Sequence, residues 1–240
     1  MENGGWTSSA TAWIKDIGEL GDYGRQFVLD APMLERVKAG NYANALDVGC
    51  GEGRFCRLLS GLGVPAIGID PIDAFIGHAR RKHPQGDYRL GRAEHLDFPD
   101  ASFDLVVSYL TLIDIPDLAA AIAEMTRVLK PGGTLLIANL NSFNTAGGWV
   151  TSIGGRRYQI DNYLDERAVE QNWRNINIIN WHRPLSRYMT LLLQQGLQLL
   201  HFDEPAPHGG DPNKAAHYRR IPYFLIMEWQ KPAASLPSGS

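Results

Sequence analysis

The chain is short of cysteine, has no marked excess of either charge and contains no long apolar run. Its 240 residues carry two cysteines, Cys50 and Cys56, six positions apart. Two thiols in one short segment build neither a disulfide framework nor a four-ligand zinc site, so both are expected to be reduced and structural. Lys+Arg 23 against Asp+Glu 26 leaves a net charge of −3. That balance supplies no bulk positive field to hold a phosphate backbone and argues against nucleic acid as the main partner. The basic clusters Arg80-Arg81-Lys82 and Arg219-Arg220 are short and read as solvated faces. No stretch reaches the ~18 apolar residues of a bilayer span, and the start, Met1-Glu2-Asn3-Gly4-Gly5-Trp6, lacks a basic n-region and an apolar h-region. A cytoplasmic protein without a membrane segment is expected. No internal repeat is present, and the seven histidines form no ligand cluster with carboxylates, so no metal is expected.

At 44% hydrophobic and 20% charged, a chain of this length buries roughly 70 to 75% of its unfolded surface, which fits a single domain over residues 1–232. The tail 233–240 is too poor in apolar residues to be expected to order. From Ala43 onward, short apolar runs alternate with helical patterns: 45–48, then 55–62; 66–69, then 72–81; 103–108, then 118–129; and 134–139. That alternation predicts an α/β fold with a doubly wound, mostly parallel sheet. Asp117 is placed to cap the helix carrying Leu118, Ile122, Met125 and Val128, and Lys130-Pro131-Gly132-Gly133 to stop it. Residues 9–39 read as helices preceding the sheet. Residues 141–182 read as an insertion over its edge, with a strand pair turning near Arg174-Asn175. A helix opening at Pro184-Leu185-Ser186 and two closing strands, 197–202 and 221–229, complete the reading.

The sharpest feature is Leu46-Asp47-Val48-Gly49-Cys50-Gly51-Glu52-Gly53, a glycine loop between a strand and a helix. Glycine lets backbone N–H groups approach a ligand without a Cβ in the way. A dinucleotide loop is the first rival, but the third glycine comes one residue early and Arg54 stands in its place. Asp47, two before the first glycine, would repel a pyrophosphate and suits a cationic ligand. The second strand ends in Gly68-Ile69-Asp70, and an acid there can accept both hydroxyls of a ribose, or cap the next helix. A nucleoside with a cation and no phosphate describes S-adenosylmethionine.

With these stand Gly91-Arg92-Ala93-Glu94-His95-Leu96, Ser102-Phe103-Asp104-Leu105-Val106-Val107-Ser108 and Leu129-Lys130-Pro131-Gly132-Gly133. In that order the five motifs resemble the class I S-adenosylmethionine-dependent methyltransferases, in particular the small-molecule group related to the ubiquinone and menaquinone C-methyltransferases. The resemblance covers residues 45–139 and implies a Rossmann-like seven-stranded sheet with an antiparallel last strand and a lid insertion at 141–182. It implies that Asp47, Gly49 and Gly51, with Cys50 between them, surround the methionine end of the cofactor and that Asp70 holds its ribose. Pro71, Ile72 and Phe75 should lie around the adenine face, with Ala93 and Glu94 at its edge. Ser108, Tyr109 and Leu110 should face the sulfonium. Many relatives have Asp where this chain has Arg92.

The Asn/Asp-Pro-Pro-aromatic tetrad of base-amine methylases is missing at Ser108-Tyr109-Leu110-Thr111. The insertion instead holds Trp149, Tyr158, Tyr163, Trp173 and Trp181, which could roof a small-molecule pocket or simply pack the insertion onto the sheet. A small aromatic or apolar acceptor, methylated on oxygen or nitrogen ahead of carbon, is the expectation. Gly147-Gly148 is a candidate hinge on which Trp149 could swing inward, and residues 9–30 are expected to complete the lid. Candidate catalytic groups are Tyr109, Asp114 and His182. A base near pH 7 favours His182, whose alternative role is a structural tie to the closing helix, because Asp114 would need strong desolvation. A non-catalytic S-adenosylmethionine-binding protein and a nicotinamide oxidoreductase remain the alternatives.

Overall fold

The computed structural model describes residues 2–233. Helices α1 (Trp6–Ile17) and α2 (Asp30–Ala39), the second entered through one π turn at Arg25–Leu29, precede the sheet. Then follow β1 (Ala45–Val48), α3 (Arg54–Gly61), β2 (Ala66–Asp70), α4 (Asp73–Lys82), β3 (Asp87–Leu90), β4 (Phe103–Tyr109), α5 (Leu118–Val128) and β5 (Leu129–Leu140). The insertion holds α6 (Ser142–Thr145), β6 (Gly147–Ser152), β7 (Gly155–Ile160), β8 (Arg167–Trp173) and β9 (Ile176–His182). The chain closes with α7 (Leu185–Gln194), β10 (Gln198–Asp203), α8 (Pro212–Tyr218) and β11 (Phe224–Gln230). The tail expectation falls on residues outside the described ones, apart from Ala233.

Seven strands form one sheet in the order β10-β11-β5-β4-β1-β2-β3. Strand β1 pairs in parallel with both β2 and β4, so the strand order reverses there and a crevice opens at the strand carboxyl ends. Strand β11 runs antiparallel to β5, as expected of the last strand. The central strands are mostly apolar because both faces are covered. Leu46, Val106 and Ile137 pack toward α5 and α7 with Ile122, Met125 and Leu192, while Leu105, Val107 and Leu136 pack toward α2 and α3 with Met33 and Leu59. Truncating any one of these to Ala costs about 2 to 5 kcal/mol.

Asp117 caps α5 through its carboxylate, which accepts from Ala120 N at 3.0 Å. Strand β5 starts five residues before the predicted 134, because Gly132 N and Gly133 O bond to the Lys231 backbone and draw the Pro-Gly-Gly stretch into the sheet edge. In the insertion, β8 and β9 turn at Arg174 (φ 45°) and Asn175 (φ 65°), the two positive dihedrals of a tight hairpin. The other hairpin, β6–β7, replaces the hinge expected at Gly147-Gly148. Both glycines are laddered to Ile160 and Gln159, and a Cβ on Gly147 would sit 2.3 Å from Gln159 O, so glycine serves close pairing there. Nearly every position of β6 and β7 is exposed, which leaves no apolar period to read.

Candidate active site

Strand β1 and helix α3 are joined by the glycine loop. Gly49 (φ 76°) and Gly51 (φ 54°) both adopt the left-handed conformation. A Cβ at Gly49 would lie 2.1 Å from Thr111 Cγ2, whereas one at Gly51 would meet nothing within 4 Å. Gly49 therefore lets the end of β4 approach, and Gly51 leaves a vacant backbone face. The loop is fastened to β2: Gly49 N and Cys50 N both donate to Ile69 O, at 2.8 and 2.9 Å. Gly51 N donates to Asp70 Oδ2 at 3.0 Å, and Asp70 Oδ1 accepts from Ile72 N at 2.9 Å. Asp70 thus bridges the loop to the start of α4, and each of its oxygens keeps a lone pair for a further donor. Burial pushes its carboxyl up to about 6, against the pull of the two backbone donors.

Three carboxylates surround the loop. Asp47 is 1% exposed, and its Oδ2 accepts from Cys56 Sγ at 3.3 Å, but its Oδ1 has no partner. Glu52 Oε2 accepts from Arg57 at 2.7 Å, and its Oε1 also has none. Burial pushes the Asp47 carboxyl up to about 7, the Cys56 thiol pulls it back, and the Asp70 and Glu52 charges add to the rise. Cys50 and Cys56 are free and buried, as expected. The Cys50 side chain packs with Ile76, Ala79 and Tyr88, so its role at the loop is to anchor it.

Helix α1 and the β8–β9 hairpin roof the crevice. Ser9 Oγ donates to Asn177 O and accepts from Asn177 N, each at 3.0 Å, and Gly5 lies so close that a Cβ there would be 2.2 Å from Asn177 O. Ala10, Trp6 and Trp13 cover Ile72 and Phe75, with the Trp6 ring 5.9 Å from Phe75 and Trp13 6.3 Å from Trp173. Pro71 is exposed, Ala93 is buried, and Glu94 is half-buried and paired with Arg92 at 3.4 Å. Arg92 also donates to Asn3 Oδ1 at 2.7 Å, which ties this edge to the N-terminus. The cover over this edge thus begins before residue 9, at a Gly-Gly-Trp stretch whose only signal is its tryptophan.

After β4 the chain passes through Leu110, a non-glycine residue at φ 58° held by Leu110 N donating to Ala138 O. Such a conformation costs about 1 to 3 kcal/mol and collects at functional sites. Ser108 is buried with its hydroxyl unpartnered. The Tyr109 hydroxyl, in contrast, donates to Asp30 Oδ1 at 2.8 Å, and the ring stacks on Phe55 at 4.8 Å. Burial pushes that hydroxyl well above its ordinary range, which makes Tyr109 a structural part of this wall.

Asp114 and His182 exchange the ranks that sequence gives them. His182 is fully buried, with Nδ1 2.7 Å from Thr145 Oγ1 and Nε2 donating to Tyr163 O at 2.9 Å. Both ring nitrogens are committed and burial holds its pKa below the ordinary value, so neither nitrogen is free to take a substrate proton. Asp114 Oδ1 accepts from Asn180 Nδ2 at 2.7 Å, and burial pushes its carboxyl up to about 7 against the Trp6 and Asn180 hydrogen bonds. The desolvation that the sequence does not display is supplied by the roof.

Arg183, not singled out from sequence, builds the loop that carries Asp114. It is 2% exposed and donates to the carbonyls of Leu112 (3.1 Å), Ile115 (2.6 Å) and Pro116 (3.0 Å), while Trp181 N donates to Ile113 O at 2.6 Å. A lone arginine between a histidine and a proline gives no hint of burial. The insertion aromatics do not gather into one roof: Trp149 and Tyr158 join α8, Tyr163 packs on Phe143 and His182, and Trp181 lies under Arg183. Among the described residues no three His, Cys, Asp or Glu side chains gather as metal ligands, and no helix is long and apolar enough to cross a membrane.

Residues 46–137, from the glycine strand through β5, match the family model described as a methyltransferase domain. Over this stretch the chain is similar to S-adenosylmethionine-dependent methyltransferases. It is 35% identical over 105 residues to a probable S-adenosylmethionine-dependent methyltransferase of Mycolicibacterium smegmatis, a match covering 44% of this chain and 41% of that one. It is 35% identical over 100 residues to a ubiquinone biosynthesis O-methyltransferase of Bradyrhizobium, covering 40% and 39%. The chain thus spans less than half the length of these relatives. An S-adenosylmethionine-dependent methyltransferase of Mesorhizobium loti superposes with a TM-score of 0.76 at 26% identity, over 89% of this chain and 100% of the other. The unpartnered Asp47 and Glu52 oxygens and the vacant face at Gly51 fit a ligand bearing positive charge and backbone-sized groups, as S-adenosylmethionine does.

Proposed function

We propose that this protein transfers the methyl group of S-adenosylmethionine to an oxygen or nitrogen of a small metabolite in the cytoplasm. The observation that carries the reading is the buried acidic loop, with carboxylate oxygens of Asp47 and Glu52 left without partners beside the vacant backbone at Gly51. Asp47, Gly49 and Gly51 would hold the methionine end, Asp70 the ribose through its free lone pairs, and Ile72, Phe75, Ala93 and Glu94 the adenine. When bound, S-adenosylmethionine supplies a sulfonium-activated methyl group for in-line displacement. The strained Leu110 backbone and Ser108 set the wall against which the acceptor is oriented, and orientation provides much of the acceleration in such a transfer. Helix α1 and the β8–β9 hairpin exclude water from the crevice. Asp114 takes the proton of the acceptor, a role suited to a carboxyl whose pKa lies near 7. Relatives named as O-methyltransferases support oxygen as the acceptor atom. Calorimetry with S-adenosylhomocysteine and with NADH tests the cofactor assignment: micromolar binding of the first is expected, and tight binding of the second alone would overturn it.

A further inference from the structure

A second cluster lies outside the cofactor crevice, where hairpin β6–β7 rests on α8 and the start of β11. Trp149 Nε1 donates to the Tyr223 hydroxyl at 3.0 Å, and that hydroxyl lies 2.7 Å from His217 Nε2. The indole can only donate, so Tyr223 accepts from Trp149, and its hydroxyl hydrogen is free to point at His217. Two guanidinium groups converge on the same indole, Arg220 at 4.4 Å and Arg156 at 5.1 Å from the ring centroid, and Arg220 Nη2 donates to Arg156 O at 2.7 Å. Among the described residues neither guanidinium has a carboxylate partner, whereas Arg25, Arg36, Arg54, Arg57 and Arg127 all do. Two like charges at one ring repel unless an anion joins them. Their field reaches His217, whose pKa is lowered first by burial and then by Arg156 and Arg220.

The cluster sits at the catalytic edge of the sheet. Asn141 N donates to Tyr223 O at 2.9 Å, Phe224 pairs with Leu140, and Leu110 N donates to Ala138 O. Two strand spacings therefore separate the start of β11, beside Tyr223, from the end of β4, about 10 Å at ~4.8 Å per strand, and Asp114 follows on the loop beyond that end. Half-buried tyrosines line the interval: Tyr218 stacks on Tyr223 at 4.2 Å and lies 5.0 Å from Tyr23. Arg25, two residues beyond Tyr23, lies over the Tyr109 ring at 5.8 Å.

We propose that Arg156 and Arg220 bind an anionic group of the methyl acceptor, a carboxylate or a phosphate, while Tyr218 and Tyr223 flank its apolar body and its nucleophile reaches Asp114. This rests on the methyl-transfer reading and adds the charge and length of the acceptor. The probes are 3-phenylpropionate, phenyl phosphate and the neutral 3-phenylpropionamide, titrated into the full chain saturated with S-adenosylhomocysteine and followed by saturation-transfer NMR. One or both anions should bind at least tenfold tighter than the amide, and which of them does so names the anionic group. In Arg156→Gln/Arg220→Gln that preference should vanish, with the amide signal and the melting temperature of the protein unchanged. Equal binding of amide and anions, or full anion binding by the double variant, would overturn the proposal while S-adenosylhomocysteine binding leaves the cofactor reading standing. Anion binding by a wild-type protein that takes no S-adenosylhomocysteine would overturn the assignment to a methyl acceptor through the cofactor reading instead.

Discussion

Asp114 Oδ1 and Asn180 Nδ2 meet at 2.7 Å across 66 positions of the chain, one on the loop after the fourth strand and the other on the hairpin that roofs it. The contact encloses a carboxyl whose pKa stands at about 7. A base works only when deprotonated, so methyl transfer to a hydroxyl should rise with pH through about 7 and then level off. Asn180→Ala should shift that profile while leaving S-adenosylhomocysteine affinity within about twofold, because Asn180 touches the base rather than the cofactor loop. A pH–rate profile checks this.

Asp47 makes apo stability and cofactor choice depend on pH. Its folded pKa, about 7, lies above the ordinary 3.8, so its contribution to stability is full below pH ~4 and is lost as pH rises through 7. Asp47→Asn should flatten the fall in apo melting temperature over that window. The sulfonium cation should also gain on the neutral thioether as Asp47 ionises. The affinity ratio of S-adenosylmethionine to S-adenosylhomocysteine, measured by calorimetry, is expected to increase from pH 5 to pH 8 in the wild type and to increase less in the variant, where Asp70 still ionises near pH 6.

Asp70→Ala should weaken both binding and folding. The ribose loses an acceptor, worth about 1.5 to 3 kcal/mol or roughly ten- to a hundredfold in Kd. Gly51 N and Ile72 N lose their shared partner, which costs about 1 to 3 kcal/mol for each N–H left unpaired and buried. Calorimetry reads the first loss and urea unfolding the second.

Arg183 and His182 are neighbours in sequence with separable consequences. Arg183→Met leaves the carbonyls of Leu112, Ile115 and Pro116 without their donor, so the Asp114 loop should relax. A lower kcat with a displaced pH profile is expected, partly rescued by Lys, which reaches fewer carbonyls. His182→Ala removes a tie between Thr145 and Tyr163 and should lower the melting temperature with little change in kcat.

The parts of this site that are legible in the sequence are local. The glycine loop, Asp70 and the strand ends lie within one βαβ unit, where residue type and spacing dictate the turn, and the structure assembles them in that arrangement. Sequence spacing places Asp114 below His182 because its partners Trp6 and Asn180 lie 108 positions before it and 66 after it. The His182 partners are equally distant in sequence: a threonine hydroxyl and a backbone carbonyl leave no motif. Gly147-Gly148 reads as a hinge because glycine leaves the backbone least restricted, whereas Gly147 serves close pairing with Gln159; both uses select glycine.

The central claim is methyl transfer with Asp114 as the base. It is tested most directly by incubating the protein with methyl-labelled S-adenosylmethionine and a metabolite extract and reading the products by mass spectrometry, beside Asp114→Asn. A labelled product from the wild type is predicted, with about 10²-fold less from the variant at unchanged S-adenosylhomocysteine affinity. No labelled product from a wild type that binds S-adenosylhomocysteine, or equal product from both proteins, would contradict it.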